Sequence, residues 1–404
     1  MSQPSGRVAY ALGVNYASMV SVAVAINLIP VFLTTLSADL GGPGGLTAEQ
    51  LGRINSVNFL GLLAGIGLTT PLVNRLGAKP FAVAANFLIG VGLAVLGSAS
   101  SYAAVLAGVF IMGTGAGTLD AVLSPIVCAL RPDRRASAMN WLHAFYPIGA
   151  IGSVLIGSLA LRFGIGWRLI SLGLVEAPVL AGLAFMAVRV PPTVAAGQIG
   201  LPLRQLCLRP AMVAAMVLLF LAGGTELGVV SWLPAYGEKA LGFSKLTGGM
   251  ALMVFYITMA IGRSCAGVLG HWTSAMTLVR ASAAAVVVLL AIGCFAPWPG
   301  AALAACMAAG LAVSSLWPST LAVAADRFPE GGPSMFGLLS GMGNFGCVVT
   351  PWVVGLTAAL AQSEGGLSAA ESLRWGLATV IACPVVMTVL LSLMARRPAA
   401  RAGS

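Results

Sequence analysis

Polar and apolar positions separate along this chain on the scale of a membrane thickness rather than of a single helical turn. A helix needs ~20 mostly apolar residues to cross a bilayer. Such runs occur near 8–36, 50–73, 80–99, 102–130, 136–161, 167–188, 211–236, 245–270, 275–295, 299–323, 333–360 and 372–395. Gly, Pro and the few charged residues gather between them. The longest non-apolar stretch, Arg189 to Pro210, holds Pro191, Pro192, Gly197, Gly200 and Pro202 with Arg189, Arg204 and Arg209. The pattern predicts an all-α membrane protein with twelve transmembrane helices. A six-helix bundle is expected over 1–188, a cytoplasmic linker over 189–210 and a second six-helix bundle over 211–404. The first run exceeds the ~7–15 apolar residues of a signal-peptide core, so it reads as an uncleaved span.

The two halves repeat one another. Pro125, Asp133 and Arg134 recur as Pro318, Asp326 and Arg327, each displaced by 193 positions. Ser137, Leu142 and Gly149 recur as Ser334, Leu339 and Gly346 at a displacement of 197, as do Gly52 and Gly65 in Gly249 and Gly262. Parallel repeats of six spans are a layout in which a solute site lies near the midplane, between the halves.

Composition fits a lipid solvent. With 59% apolar and 8% charged residues and a mean hydropathy of +0.98, the chain has too few charges to clothe a water-facing surface. Soluble, fibrous, disordered and nucleic-acid-binding classes are excluded on that ground. The net charge of +10 comes from 21 Lys+Arg against 11 Asp+Glu, and its distribution is a topology signal. With the N-terminus inside, thirteen basic residues fall in cytoplasmic segments, among them Arg75, Arg134 and Arg327. Five fall outside: Arg162, Arg168, Lys239, Lys245 and Arg374. The asymmetry predicts a multi-pass protein of the cell (inner) membrane with both termini cytoplasmic. The seven cysteines include no CxxC and lie almost wholly in apolar runs, so no disulfide framework or metal site is expected.

Energy and chemistry are narrowed by the motifs. The chain contains neither GxxxxGK[ST] nor HExxH, and its only histidines are His143 and His271. Gly341, Gly343 and Gly346 satisfy GxGxxG inside an apolar run; close helix packing explains them better than a nucleotide loop, as it does Gly113, Gly115 and Gly117. The protein is therefore expected not to be an enzyme and to need no cofactor. An ion gradient or the substrate's own gradient would drive it.

Ionisable residues inside spans are costly and mark function. They are Asp120, His143, Glu176, Glu226 and Arg263. Asp120 and His143 fall at similar depths on consecutive antiparallel spans and can share a proton. Asn140 lies three residues before His143 on the same side of its helix, and an amide beside an imidazole suits hydroxyl groups. Glu226 sits in Gly223-Gly224-Thr225-Glu226-Leu227-Gly228, with Trp232, Pro234 and Tyr236 beyond it. A carboxylate near an aromatic ring suits a sugar. Proton coupling is accordingly assigned to Asp120, His143 and Glu226. Substrate binding is assigned to Asn140, His143, Glu226 and Trp232, with Asn27, Tyr256 and Asn344 as further candidates. Arg75, Arg134, Arg263 and Arg327 are assigned to gating, Arg263 being expected to reach the interface or a loop carboxylate. Glu176, on a span expected at the periphery, is left out.

Met139-Asn140-Trp141-Leu142-His143-Ala144-Phe145 with Gly149 resembles the span-five signature of the fucose–galactose–glucose permease branch of the major facilitator superfamily. Asp120 in GAGTLDAV is similar to the span-four acid of its sodium-dependent glucose transporter-like members. Gly224-Thr225-Glu226 with Gly228 resembles its span-seven acidic motif. The resemblance implies a monomeric symporter that imports a monosaccharide or similar polar solute by alternating access. Protons are the expected coupling ion and sodium the other candidate. A proton-coupled exporter of drugs or metabolites is the competing reading. Two departures stand out. The usual G-x-x-x-D-R-x-G-R-R loop has Asn74 before Arg75 in place of Asp, and span one carries Asn15 and Asn27 rather than an Asp.

Overall fold

The computed structural model describes residues 5–132, 135–191, 207–269, 272–328 and 332–396; the side chains at 5, 74, 135–137, 140, 332–334 and 396 lie outside that description. Among the described residues, twelve helices are long and apolar enough to cross a membrane. They are span one (Gly6–Leu40), two (Ala48–Val73), three (Ala78–Gly97), four (Tyr102–Leu130), five (Trp141–Arg162) and six (Trp167–Ala187). Then follow span seven (Pro210–Lys239), eight (Lys245–Leu269), nine (Ala275–Phe295), ten (Pro299–Arg327), eleven (Met335–Ser363) and twelve (Ala369–Ala395). The chain divides into two compact units, 1–196 and 197–404, so each holds six spans. The expected linker falls mostly within 192–206, outside the described residues.

Local chemistry sets the span ends. Thr47 and Gln50 form a reciprocal capping box at the start of span two, and Ser368 with Glu371 forms another at span twelve. Ser101 and Ser274 accept the N3 amides of spans four and nine. Spans two and three are joined through Gly77 at φ 79°, a backbone conformation that favours glycine. Span six is broken into Trp167–Gly173 and Glu176–Ala187. Glu176 lies in the first turn of the second piece, where a carboxylate favours the free helix N–H groups.

Small residues bring helices into backbone contact, and they do so in the repeat's own register. A Cβ on Gly65 would collide with the carbonyl of Thr114, and one on Gly113 with that of Asn58. In the second unit Gly262 meets the carbonyl of Leu311, and Gly310 that of Phe255. All four positions are displaced by 197 between the units. Spans two and four thus pack as spans eight and ten do. Gly343 and Gly346 lie against Trp317 and the Phe220 carbonyl, so two of the three glycines in that GxGxxG are helix-packing residues. Apolar side chains such as Leu68, Leu180 and Val288 remain exposed on the surface, as suits a lipid solvent.

Each unit carries the same arginine clasp. Arg168, at the start of span six, donates Nε to the Ala99 carbonyl at 3.0 Å, just beyond the end of span three. Arg374, near the start of span twelve, donates Nη1 to the carbonyls of Cys294 and Ala296 at 3.3 and 3.4 Å, at the end of span nine. Ala99 and Ala296 are again 197 apart. A cation here satisfies carbonyls that the helix leaves without partners and opposes the negative end of its dipole. In the first unit Asp39, at the end of span one, joins the clasp. It accepts from Trp167 Nε1 at 2.7 Å and Arg168 Nη1 at 3.1 Å.

Candidate functional site

In the first unit the chemistry gathers on spans four and five. Asp120 and Ser124 are one turn apart and so share a face of span four. Ser124 Oγ lies 3.3 Å from His143 Nε2 of span five, with the donor set by the histidine tautomer. Asp120 is the charged neighbour of His143, and both side chains are exposed. An accessible acid and imidazole on two apolar helices can hold and pass a proton. Moving either fully into hydrocarbon would cost about 2.5–3.5 kcal/mol or more. Asn140 lies on the same span, but its side chain is outside the described residues.

Ser124, beside His143, and Tyr16, beside Phe145, carry no sequence signal. Tyr16 of span one stacks on Phe145 of span five, with centroids 4.6 Å apart and ring planes 7° from parallel. Arg131, just past the end of span four, lies within electrostatic range of the Tyr16 hydroxyl. Neither Ser124 nor Tyr16 stands out on a span that also holds many packing hydroxyls and rings. Only their proximity to His143 and Phe145 marks them.

In the second unit Glu226 is half-buried in the middle of span seven. Its basic neighbour is Arg263 of span eight, without a direct ion pair, and Cys347 of span eleven lies within range of its charge. Arg263 is exposed and within range of the Glu226 charge, with no ion pair between them. The preceding residue, Gly262, lets span eight lie against the Leu311 carbonyl and Ser314 of span ten. The opposite face of span seven is close-packed, since Cβ atoms on Gly224 and Gly228, two residues either side of Glu226, would meet Thr350.

Other named candidates are placed in packing positions. Trp232 is 1% exposed and donates Nε1 to the Pro351 carbonyl at 3.0 Å. Tyr256 is 2% exposed, edge-on to Phe255. Asn27 is fully buried, donating Nδ2 to the Ala23 carbonyl at 2.8 Å and to the Tyr146 hydroxyl at 3.3 Å. Asn27 and Trp232 bond across to neighbouring spans, and none of the three side chains presents an open face. Asn344 is half-buried, with Nδ2 donating to Ser340 O at 3.1 Å. Arg75 and Arg263 are exposed and Arg327 half-buried; Arg134 lies outside the described residues. Among the described residues, no cluster of three or more His, Cys, Asp or Glu could hold a metal ion.

Comparison with known proteins gives a family. The family model described as Major Facilitator Superfamily matches residues 16–302. A curated relative, the putative niacin/nicotinamide transporter NiaP of Bacillus subtilis (strain 168), is 28% identical over 137 residues; the match spans 34% of this chain and about a third of the relative's length, also 34%. Two solved structures share the fold. A bacterial homologue of the human lysosomal transporter Spinster, in an inward-facing and occupied conformation, matches with a TM-score of 0.80 at 14% identity, covering 98% of each chain. The E. coli fucose:proton symporter FucP matches with a TM-score of 0.64 at 19% identity, covering 95% of this chain and 98% of that one.

Proposed function

This chain belongs to the Major Facilitator Superfamily, and within that family of multi-pass membrane transporters we propose that it is a proton-coupled symporter. It imports a small polar ring compound, a monosaccharide or a solute of similar size, by alternating access. The observation that carries the reading is the exposed Asp120–His143 pair, with Ser124 beside it, on two apolar spans. A carboxylate kept charged resists enclosure in an apolar site, whereas a protonated one does not. Protonation of Asp120 therefore licenses the change of access, and His143 relays the proton or binds the solute. Glu226, with Arg263 beside it, is the second acid of the cycle.

Substrate contacts in this reading come from Asn140, His143, Glu226 and Asn344, with the half-buried Tyr16–Phe145 stack as a platform for a ring. Asn27 in the first unit and Trp232 and Tyr256 in the second serve packing within their own units. The relatives are named for niacin or nicotinamide and for fucose. These are small rings with polar edges, which supports the size and polarity of the proposed solute. The termini lie in the cytoplasm, as the excess of basic residues in the segments on their side suggests.

The test is uptake into proteoliposomes under an inward proton gradient, with and without sodium. The panel comprises monosaccharides, nucleosides, nicotinate and nicotinamide. Accumulation of one of them that collapses with a protonophore is the expected result. Accumulation that follows sodium instead moves the coupling away from protons, and uptake of none of them removes the import reading.

A further inference from the structure

Spans eight, nine and ten of the second unit flank an open cleft of about 520 Å³, lined by Arg263, Thr273, Ala275, Leu278, Pro318 and Ser319 among others. Its position follows from the close approach of span eight to span ten at Gly262, which carries the next residue, Arg263, to the cleft wall.

Three kinds of donor converge there. Arg263 is exposed and supplies a planar, permanently charged fork of N–H groups. Span nine begins at the cleft. Its N-cap Ser274 takes the Thr277 amide at 3.2 Å through its side chain and the Leu278 amide at 3.0 Å through its carbonyl. The amides of Ala275 and Met276 are then left with no acceptor inside the helix. Ser319 is only 7% exposed, lines the cleft, and its hydroxyl has no hydrogen-bond partner among the described residues. Its hydroxyl opens onto the cleft, where it can donate to the oxygen of a bound group. The lining among the described residues includes no acidic side chain. Apart from Thr273, the rest carries no polar side chain: Ala266, Gly267, Leu278, Pro318 and Ala322.

We propose that this cleft binds a phosphate group carried on an apolar body, with Arg263, the start of span nine and Ser319 holding the phosphate oxygens and the apolar wall holding the remainder. Guanidinium and helix N-terminus together form an anion site whose geometry suits a tetrahedral oxyanion. The volume falls in the range of small-molecule sites, ~300–1,000 Å³, and exceeds what a bare phosphate needs. Two sources supply this chemistry: a phospholipid headgroup from the leaflet at this end of the spans, or a water-soluble phosphate ester. Because Arg263 is also the basic neighbour of Glu226, an occupant that engages the guanidinium weakens its hold on that acid. The cleft would then tune the transport cycle without containing the transported solute.

The proposal is tested by binding, independently of transport. The full-length protein in maltoside detergent is titrated calorimetrically with dihexanoyl phosphatidic acid, glycerol 3-phosphate and dihexanoylglycerol. The same titrations are run on Arg263→Gln and Ser319→Ala, and on Leu278→Trp, which fills the cleft. Wild type should bind phosphatidic acid and not dihexanoylglycerol. Losing one charge-assisted contact should weaken binding by about tenfold or more in Arg263→Gln, and by less in Ser319→Ala. Glycerol 3-phosphate binding as tightly as phosphatidic acid identifies a soluble ester as the occupant; much weaker binding identifies a lipid headgroup. Equal affinity for phosphatidic acid and dihexanoylglycerol overturns the proposal. So does wild-type affinity in both Arg263→Gln and Ser319→Ala.

Discussion

At the scale of single residues, the account turns on which side chains carry a proton and which only hold helices. Asp120→Asn should permit exchange of labelled solute across a membrane while abolishing accumulation against a gradient, because a permanently neutral side chain allows the change of access without carrying a proton. Exchange and accumulation assays on one preparation separate the two effects, and loss of both assigns Asp120 to packing instead. Trp232 supplies the contrast. Its buried indole bonded to Pro351 predicts that Trp232→Phe lowers stability by about 1–3 kcal/mol, because an interhelical hydrogen bond and part of a buried ring are lost together. It should change the apparent affinity for solute little, which a thermal melt read beside a transport KM would check. The sequence marks both residues as polar or aromatic within a span, and that mark does not say where a ring points. Asp120 could be chosen because few chemistries explain an acid in a membrane helix. Trp232 serves packing and binding equally well on paper, and only its burial separates the two. Ser124 was invisible for a related reason: hydroxyls on membrane helices usually bond to their own backbone, and its partner lies nineteen residues away on the next span.

At the scale of elements, helix contacts repeat with the sequence. Gly65→Val and Gly262→Val each force a side chain against a carbonyl of the neighbouring helix. Each should cost about 1–3 kcal/mol or more. Gly67, with nothing within 4 Å of an added Cβ, is the control: Gly67→Ala should be neutral or slightly stabilising. Melting curves in detergent distinguish these outcomes, and equal shifts for all three would contradict the packing argument. The arginine clasps lead to a parallel prediction. Arg168→Gln and Arg374→Gln should each lose about 1 kcal/mol of helix-end stabilisation. Asp39→Asn should cost less, because the Asp39–Arg168 pair is 40–41% exposed and such pairs contribute ~0–1 kcal/mol. Span existence and approximate limits were legible from hydropathy, since lipid leaves so few alternatives to an apolar helix. The break in span six and the matching clasps of Arg168 and Arg374, each within its own unit, were not, because they depend on which carbonyls a chain end leaves open.

At the scale of the whole molecule, family membership and two six-span units fix the class of activity, and the ion and the solute are the claims to test. Orientation has a direct check in Cys207, an exposed thiol just before span seven. In a variant retaining only that cysteine, an impermeant maleimide should label inside-out vesicles and spare right-side-out ones; the reverse pattern would invert the assigned topology. The central claim is that solute and proton move together. Proteoliposomes loaded with a pH-sensitive dye, with equal pH on both sides, are given the transported solute from outside while potassium and valinomycin hold the membrane potential at zero. The account predicts acidification of the lumen that tracks uptake in wild type and is absent in Asp120→Asn. Solute entry with no change in luminal pH would contradict proton symport.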